Sequence, residues 1–102
     1  KLIKESQPDV AVIAIGGMPI MPEISGVTKS NVVTAQDVLF GKVTVGQNVV
    51  VIGGGMVGCE TAYYLAERGS KVTIIEIQKR MATDMGLMVR RRLMDGLRAN
   101  QV

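Results

Sequence analysis

Residues 48–76 read NVVVIGGGMVGCETAYYLAERGSKVTIIE. An apolar run, Asn48–Ile52, breaks on three consecutive glycines. A stretch of helical character, Met56–Arg68, follows and stops at Gly69, a residue type that closes helices. A second apolar run, Lys71–Glu76, ends on an acid. Short stretches rich in valine and isoleucine suit parallel strands packed against helices. The stretch therefore predicts strand, glycine turn, helix and parallel strand, the core of a Rossmann-like α/β fold.

Gly53, Gly55 and Gly58 fit G-x-G-x-x-G. Placed between a strand and a helix, this is a dinucleotide-binding fingerprint. Gly53 permits the tight turn. Gly55, lacking a side chain, lets the backbone approach a pyrophosphate, and Gly58 lets the helix pack close to the sheet. Gly54 is expected to add backbone freedom only. Ala62, on the same helix face as Gly58, is again small. The amides at the helix start, from Met56 and Val57 onward, and the positive end of the helix dipole would receive the phosphates. No G-K-[ST] follows the turn, which argues against a triphosphate-binding loop.

Glu76 lies 18 residues beyond Gly58. An acid there can accept hydrogen bonds from both hydroxyls of an adenosine ribose and would repel a 2′-phosphate, which favours NADH over NADPH. Lys79-Arg80 is the opposing signal, since either cation could reach a phosphate. Glu60, in the expected first turn of the helix, reads in two ways. It is an acid favourably placed near a helix N-terminus, or a contact to the nicotinamide end or a neighbouring domain. The candidate cofactor-binding residues are thus Gly53, Gly54, Gly55, Met56, Val57, Gly58, Glu60, Glu76 and Lys79. No catalytic residue and no metal ligand is named.

Outward from this unit the chain is less regular. Residues 1–7 are polar and read as a short edge or linker. Val10–Ile15 is an apolar run of strand length, ended by Gly16-Gly17. Residues 18–26 hold two prolines and a glycine and read as an extended connection. Residues 31–33 are expected to form a short strand. Thr34 then reads as the N-cap of a helix over 35–40, with Asp37 giving a weak capping box. Beyond Glu76, residues 79–85 are loop-like and Leu87–Ala99 reads as a helix, with Leu87, Val89, Leu93, Met94 and Leu97 as its apolar positions. Residues 1–45 are taken as a boundary segment, and residues 46–102 as a nucleotide-binding core. The chain opens on Lys1 and ends just past a helix, as an excised piece of a larger enzyme would.

Composition narrows the classes. The net charge is +3, with 12 Lys and Arg against 9 Asp and Glu. That is mildly basic, and no basic–aromatic interleaving suggests a nucleic-acid surface. One cysteine, Cys59, and no histidine exclude an internal disulfide, a Cys/His zinc site and histidine triad chemistry within this chain. Cys59 is expected to be inert. No apolar run reaches membrane-span length, so a cytoplasmic location is expected.

Three landmarks, in order, resemble the two-dinucleotide flavoprotein reductases of the glutathione and thioredoxin reductase superfamily. Residues 9–19, DVAVIAIGGMP, look like the superfamily's D-x-x-x-x-A-T-G-x-x-P strand and turn. Residues 22–26, PEISG, look like its P-x-I-x-G connection. Residues 53–60, GGGMVGCE, look like its second glycine motif, in which an acid two residues past the last glycine marks the nicotinamide-nucleotide site. Ile15 departs from the pattern by replacing the threonine, which removes a hydroxyl from the expected flavin side. With residues 31–41, NVVTAQDVLFG, the likeness is strongest to the C-terminal region of the 2,4-dienoyl-CoA reductase and 2-enoate reductase group of old-yellow-enzyme type.

The resemblance implies a parent enzyme with an FMN barrel, an iron–sulfur cluster, and an FAD domain interrupted by this NADH domain. Electrons would pass from NADH through FAD, the cluster and FMN to an activated C=C bond. The partners are then the parent's own FAD domain and barrel. Residues 9–17 would lie on the FAD side. Cut from those neighbours they are open to pairing with another copy of the chain, a route to a homo-oligomer. Three rivals stay open: an FAD-binding Rossmann unit, a non-catalytic NAD(H)-binding module, and an S-adenosylmethionine methyltransferase.

Overall fold

The structure is a computed structural model in which residues 2–102 are described. Along the chain run α1 (Leu2–Ser6), α2 (Ala35–Leu39), β1 (Asn48–Ile52), α3 (Met56–Ala66), β2 (Lys71–Ile75) and α4 (Leu87–Ala99). β1 and β2 form a parallel pair, with Asn48 opposite Lys71 and Ile52 opposite Ile75. α3 is the crossover between them, so the expected βαβ unit is present. β2 stops one residue short of the predicted end, leaving Glu76 just beyond the ladder.

α3 buries Cys59, Ala62 and Leu65 along one face, and Val72 of β2 joins them. Gly58 is what allows this approach: a methyl group in its place would collide with the Gly53 carbonyl oxygen. Regular helix ends at Ala66, two residues before the predicted Arg68. The chain then closes through Gly69, at φ +89°, with the Ser70 amide donating to the Leu65 carbonyl at 3.1 Å.

α4 has the predicted bounds. Met94 and Leu97 are buried and Leu93 is half-buried, whereas Leu87 and Val89 are exposed. The helix therefore packs through its middle and C-terminal turns, not along the whole expected stripe. It approaches α3 tightly at Gly96, where an added Cβ would stand 2.8 Å from Tyr63 Cε2. α2 also packs against α3 and contributes Val38 to the same core. Thr34 caps it as expected. The hydroxyl oxygen accepts from the Asp37 amide at 3.1 Å and the hydroxyl donates to the Asp37 carboxylate at 2.8 Å. The helix ends at Leu39, one residue early, and Gly41 turns the chain at φ +68°.

Three expectations fail upstream. Val10–Ile15 is not a strand; Val12 and Ile15 are 88% and 91% exposed. A strand needs a hydrogen-bonding neighbour, and among the described residues β1 and β2 pair only with each other. Residues 31–33 form no strand: Asn31 lies in a turn closed by the Val32 amide, which donates to the Lys29 carbonyl at 2.9 Å, and Val32 and Val33 pair with no strand among the described residues. Residues 2–6 are a short helix, which Pro8 keeps from continuing; Lys1 lies outside the described residues. The Cα radius of gyration is 17.5 Å, against roughly 13 Å for a compact domain of this length. The excess reflects the exposed segment before residue 25.

Candidate functional site

β1 delivers the chain to Gly53, whose φ of +101° is a conformation that side chains rarely adopt. Its amide donates to the Ile75 carbonyl at 2.9 Å, so the turn is pinned to the end of β2. Gly54 is the buried glycine of the three. An added Cβ there would stand 2.9 Å from Met81 and 3.1 Å from Glu76. Gly54 thus does more than add freedom: it lets the acid and the following loop close onto the turn.

The Glu76 carboxylate accepts from the Gly54 amide at 2.6 Å through Oε2, and from the Gln78 amide at 2.7 Å through Oε1. The Gln78 amide first, then that of Gly54, holds its pKa below the usual carboxylate value. The group is half-buried, ionised, and fixed at the mouth of the turn with acceptor capacity to spare.

Gly55 is the N-cap of α3, and Met56 and Val57 follow, both exposed. Ahead of them the loop 77–86 folds back. The Ala82 amide donates to the Gly54 carbonyl at 2.6 Å, and Arg90 Nε donates to the Met81 carbonyl at 2.8 Å. Both oxygens of Asp84 accept from the Met56 amide, at 3.0 and 3.1 Å. The result is a cavity of about 270 Å³ walled by Gly54, Gly55, Glu76, Gln78, Arg80 and Asp84, among others.

The fold thus gathers Gly53, Gly54, Gly55, Met56, Val57, Gly58 and Glu76 at one corner. Two candidates stand apart. Glu60 is exposed and lies one residue beyond the first turn of α3, which weakens the reading of it as a helix-dipole acid. Lys79 lines a neighbouring cleft of about 540 Å³ with Arg91 and Arg98, whereas Arg80 borders both. Asp84 was not signalled by any motif, because its contact with Met56 spans 28 residues of chain. Cys59 is fully buried and donates to the Gly54 carbonyl at 3.3 Å; burial pushes its thiol pKa up, so no reactive thiolate forms.

The corner has the features that suit a dinucleotide: Gly55 bears no side chain toward the cavity, and the start of α3 lies beside it, its first amide held by Asp84. A family profile described as pyridine nucleotide-disulphide oxidoreductase matches residues 4–102. The chain belongs to that family. That family implies flavin and nicotinamide cofactors, and the chain matches flavoprotein oxidoreductases over part of their length.

It is 54% identical over 82 residues to an NADH oxidase of Thermoanaerobacter brockii, covering 76% of this chain and 13% of that protein. To a cinnamate reductase of Clostridium sporogenes it is 46% identical over 76 residues, covering 74% of this chain and 11% of the other. Among solved structures, 2-naphthoyl-CoA reductase in complex with 2-naphthoyl-CoA superposes with a TM-score of 0.86 at 37% identity, over 97% of this chain and 15% of that one. The chain therefore spans well under a fifth of the length of these relatives. Among the described residues no helix is long and apolar enough to cross a membrane.

Proposed function

We propose that this chain is the NADH-binding domain of a larger flavin-dependent reductase, and that it presents the nicotinamide to an FAD held by the neighbouring domain. The observation that carries the reading is the Glu76 carboxylate clasped by the Gly54 amide at 2.6 Å. That bond sets a charged acceptor beside a side-chain-free phosphate approach, the pairing that ribose and pyrophosphate recognition requires. The amides of Met56 and Val57 hold the phosphates. Glu76 orients the ribose and opposes a 2′-phosphate. Glu60, one turn along α3 and open to its surroundings, faces the nicotinamide end or the adjoining domain.

When bound, the nicotinamide supplies a hydride; the domain itself contributes binding and orientation, with neither acid nor base. Residues 1–45 form the boundary with the FAD domain and residues 46–102 the nucleotide core. FMN and an iron–sulfur cluster belong to other parts of a cytoplasmic parent enzyme, and its substrate carries an activated C=C bond. The names cinnamate reductase and 2-naphthoyl-CoA reductase support that substrate class.

Calorimetry of the full-length protein, its flavins in place, tests the assignment with NADH, NADPH, FAD and S-adenosylmethionine. NADH is expected to bind most tightly at this corner, and Gly55→Val to abolish that binding. Loss of FAD rather than NADH in the Gly55→Val protein overturns the assignment.

A further inference from the structure

The geometry points to Asp84 as a built-in competitor for the phosphate position, one whose carboxylate a dinucleotide must displace in order to bind. This rests on the nucleotide reading above and adds a regulatory element to the same site.

Both Asp84 oxygens converge on one donor, the Met56 amide, at 3.0 and 3.1 Å. Met56 is the first residue of α3, so the carboxylate stands at the positive end of the helix dipole. It also lies against the bare face of Gly55: an ideal Cβ there would meet Asp84 Oδ2 at 3.5 Å. The approach that a missing side chain leaves open to a pyrophosphate is thus the one that Asp84 takes. An amide has a single hydrogen to donate. A phosphate and a carboxylate within a few ångströms also repel each other, so the two cannot share the position.

The loop is anchored independently of this contact. Ala82 is 1% exposed, sits at φ +51°, and donates to the Gly54 carbonyl at 2.6 Å. Arg90 holds the Met81 carbonyl at 2.8 Å. A non-glycine residue at that φ persists only where its surroundings hold it. Asp84 itself is exposed. Its side chain can therefore rotate away from Met56 while the loop backbone stays in place. Binding then becomes an exchange of one anion for another. Its cost falls on the phosphates and not on the adenosine, which meets Glu76.

The test compares wild type with Asp84→Asn and Asp84→Ala in the full-length protein, titrated calorimetrically with NADH and, as a phosphate-free probe, adenosine. Asparagine keeps the size and one acceptor for Met56 but removes the charge, so the fold is retained. Both variants are expected to bind NADH about three- to tenfold more tightly, with adenosine affinity unchanged. NADH binding that is measurable in wild type and equal or weaker in both variants overturns the inference alone. So does a parallel change in adenosine affinity, which would place the effect in the fold. Failure of all three proteins to bind NADH overturns the nucleotide reading, and the inference with it.

Discussion

Glu76 acts at two levels through one carboxylate. Its hydrogen bonds to the Gln78 and Gly54 amides close the turn, and the same bonds keep it ionised. Because its pKa is lower folded than its ordinary 4.5, the stability it confers is present above that value and is lost as pH falls through the lower, folded value. Glu76→Gln should therefore show a flatter decline of Tm than wild type below about pH 4.5, measured by circular dichroism. For ligand choice the expected variant is Glu76→Arg, which replaces a repulsive charge by an attractive one beside Arg80. Its NADPH-to-NADH affinity ratio should rise by roughly tenfold or more in calorimetric titration. An unchanged ratio would remove Glu76 from the ribose position.

At the scale of elements, α3 is positioned by two glycines with unequal room. At Gly58 the obstacle to a side chain is the Gly53 carbonyl, which is backbone and cannot step aside. Gly58→Ala should cost about 2–3 kcal/mol in chemical denaturation and displace the helix start proposed to receive the phosphates. At Gly96 the obstacle is the Tyr63 ring, at 2.8 Å, and a ring edge can shift. Alanine also gains roughly 1 kcal/mol of helix propensity over glycine. Gly96→Ala should therefore change stability by no more than about 1 kcal/mol and leave NADH affinity intact. Equal losses at the two positions would mean that the α3–β1 approach is not set by Gly58.

Across the whole molecule, a small packed unit carries a long apolar extension. Val10, Val12, Ile13, Ile15, Met18 and Ile20 are each more than three-quarters exposed. A surface of that kind does not stay in water without consequence. The 102-residue chain on its own should self-associate in a concentration-dependent way by analytical ultracentrifugation, and Val12→Lys with Ile15→Lys should restore the monomer. In the full-length protein the same segment is expected to be covered. Hydrogen exchange there should show slow amides over residues 10–15, and fast exchange would mean the segment is not paired in the parent.

Periodicity, glycine spacing and capping residues by themselves determined the βαβ unit, the bounds of β1 and α4, and the Thr34 cap. The strand, helix and cap signals are local, and the parallel pairing follows from the short strand–helix–strand order that they set. Tertiary structure decided what depends on distant partners. It showed that Val10–Ile15, a strand by composition, has no neighbour to pair with among the described residues. It buried Met94 and Leu97 but left Leu87 and Val89 in the open, since only part of α4 reaches α3. It turned Gly54 from a spare glycine into the contact surface for Glu76 and Met81. It also brought Asp84 onto the Met56 amide, 28 residues away in sequence. No spacing rule encodes that contact, because it exists only once the loop after β2 has folded back over the turn.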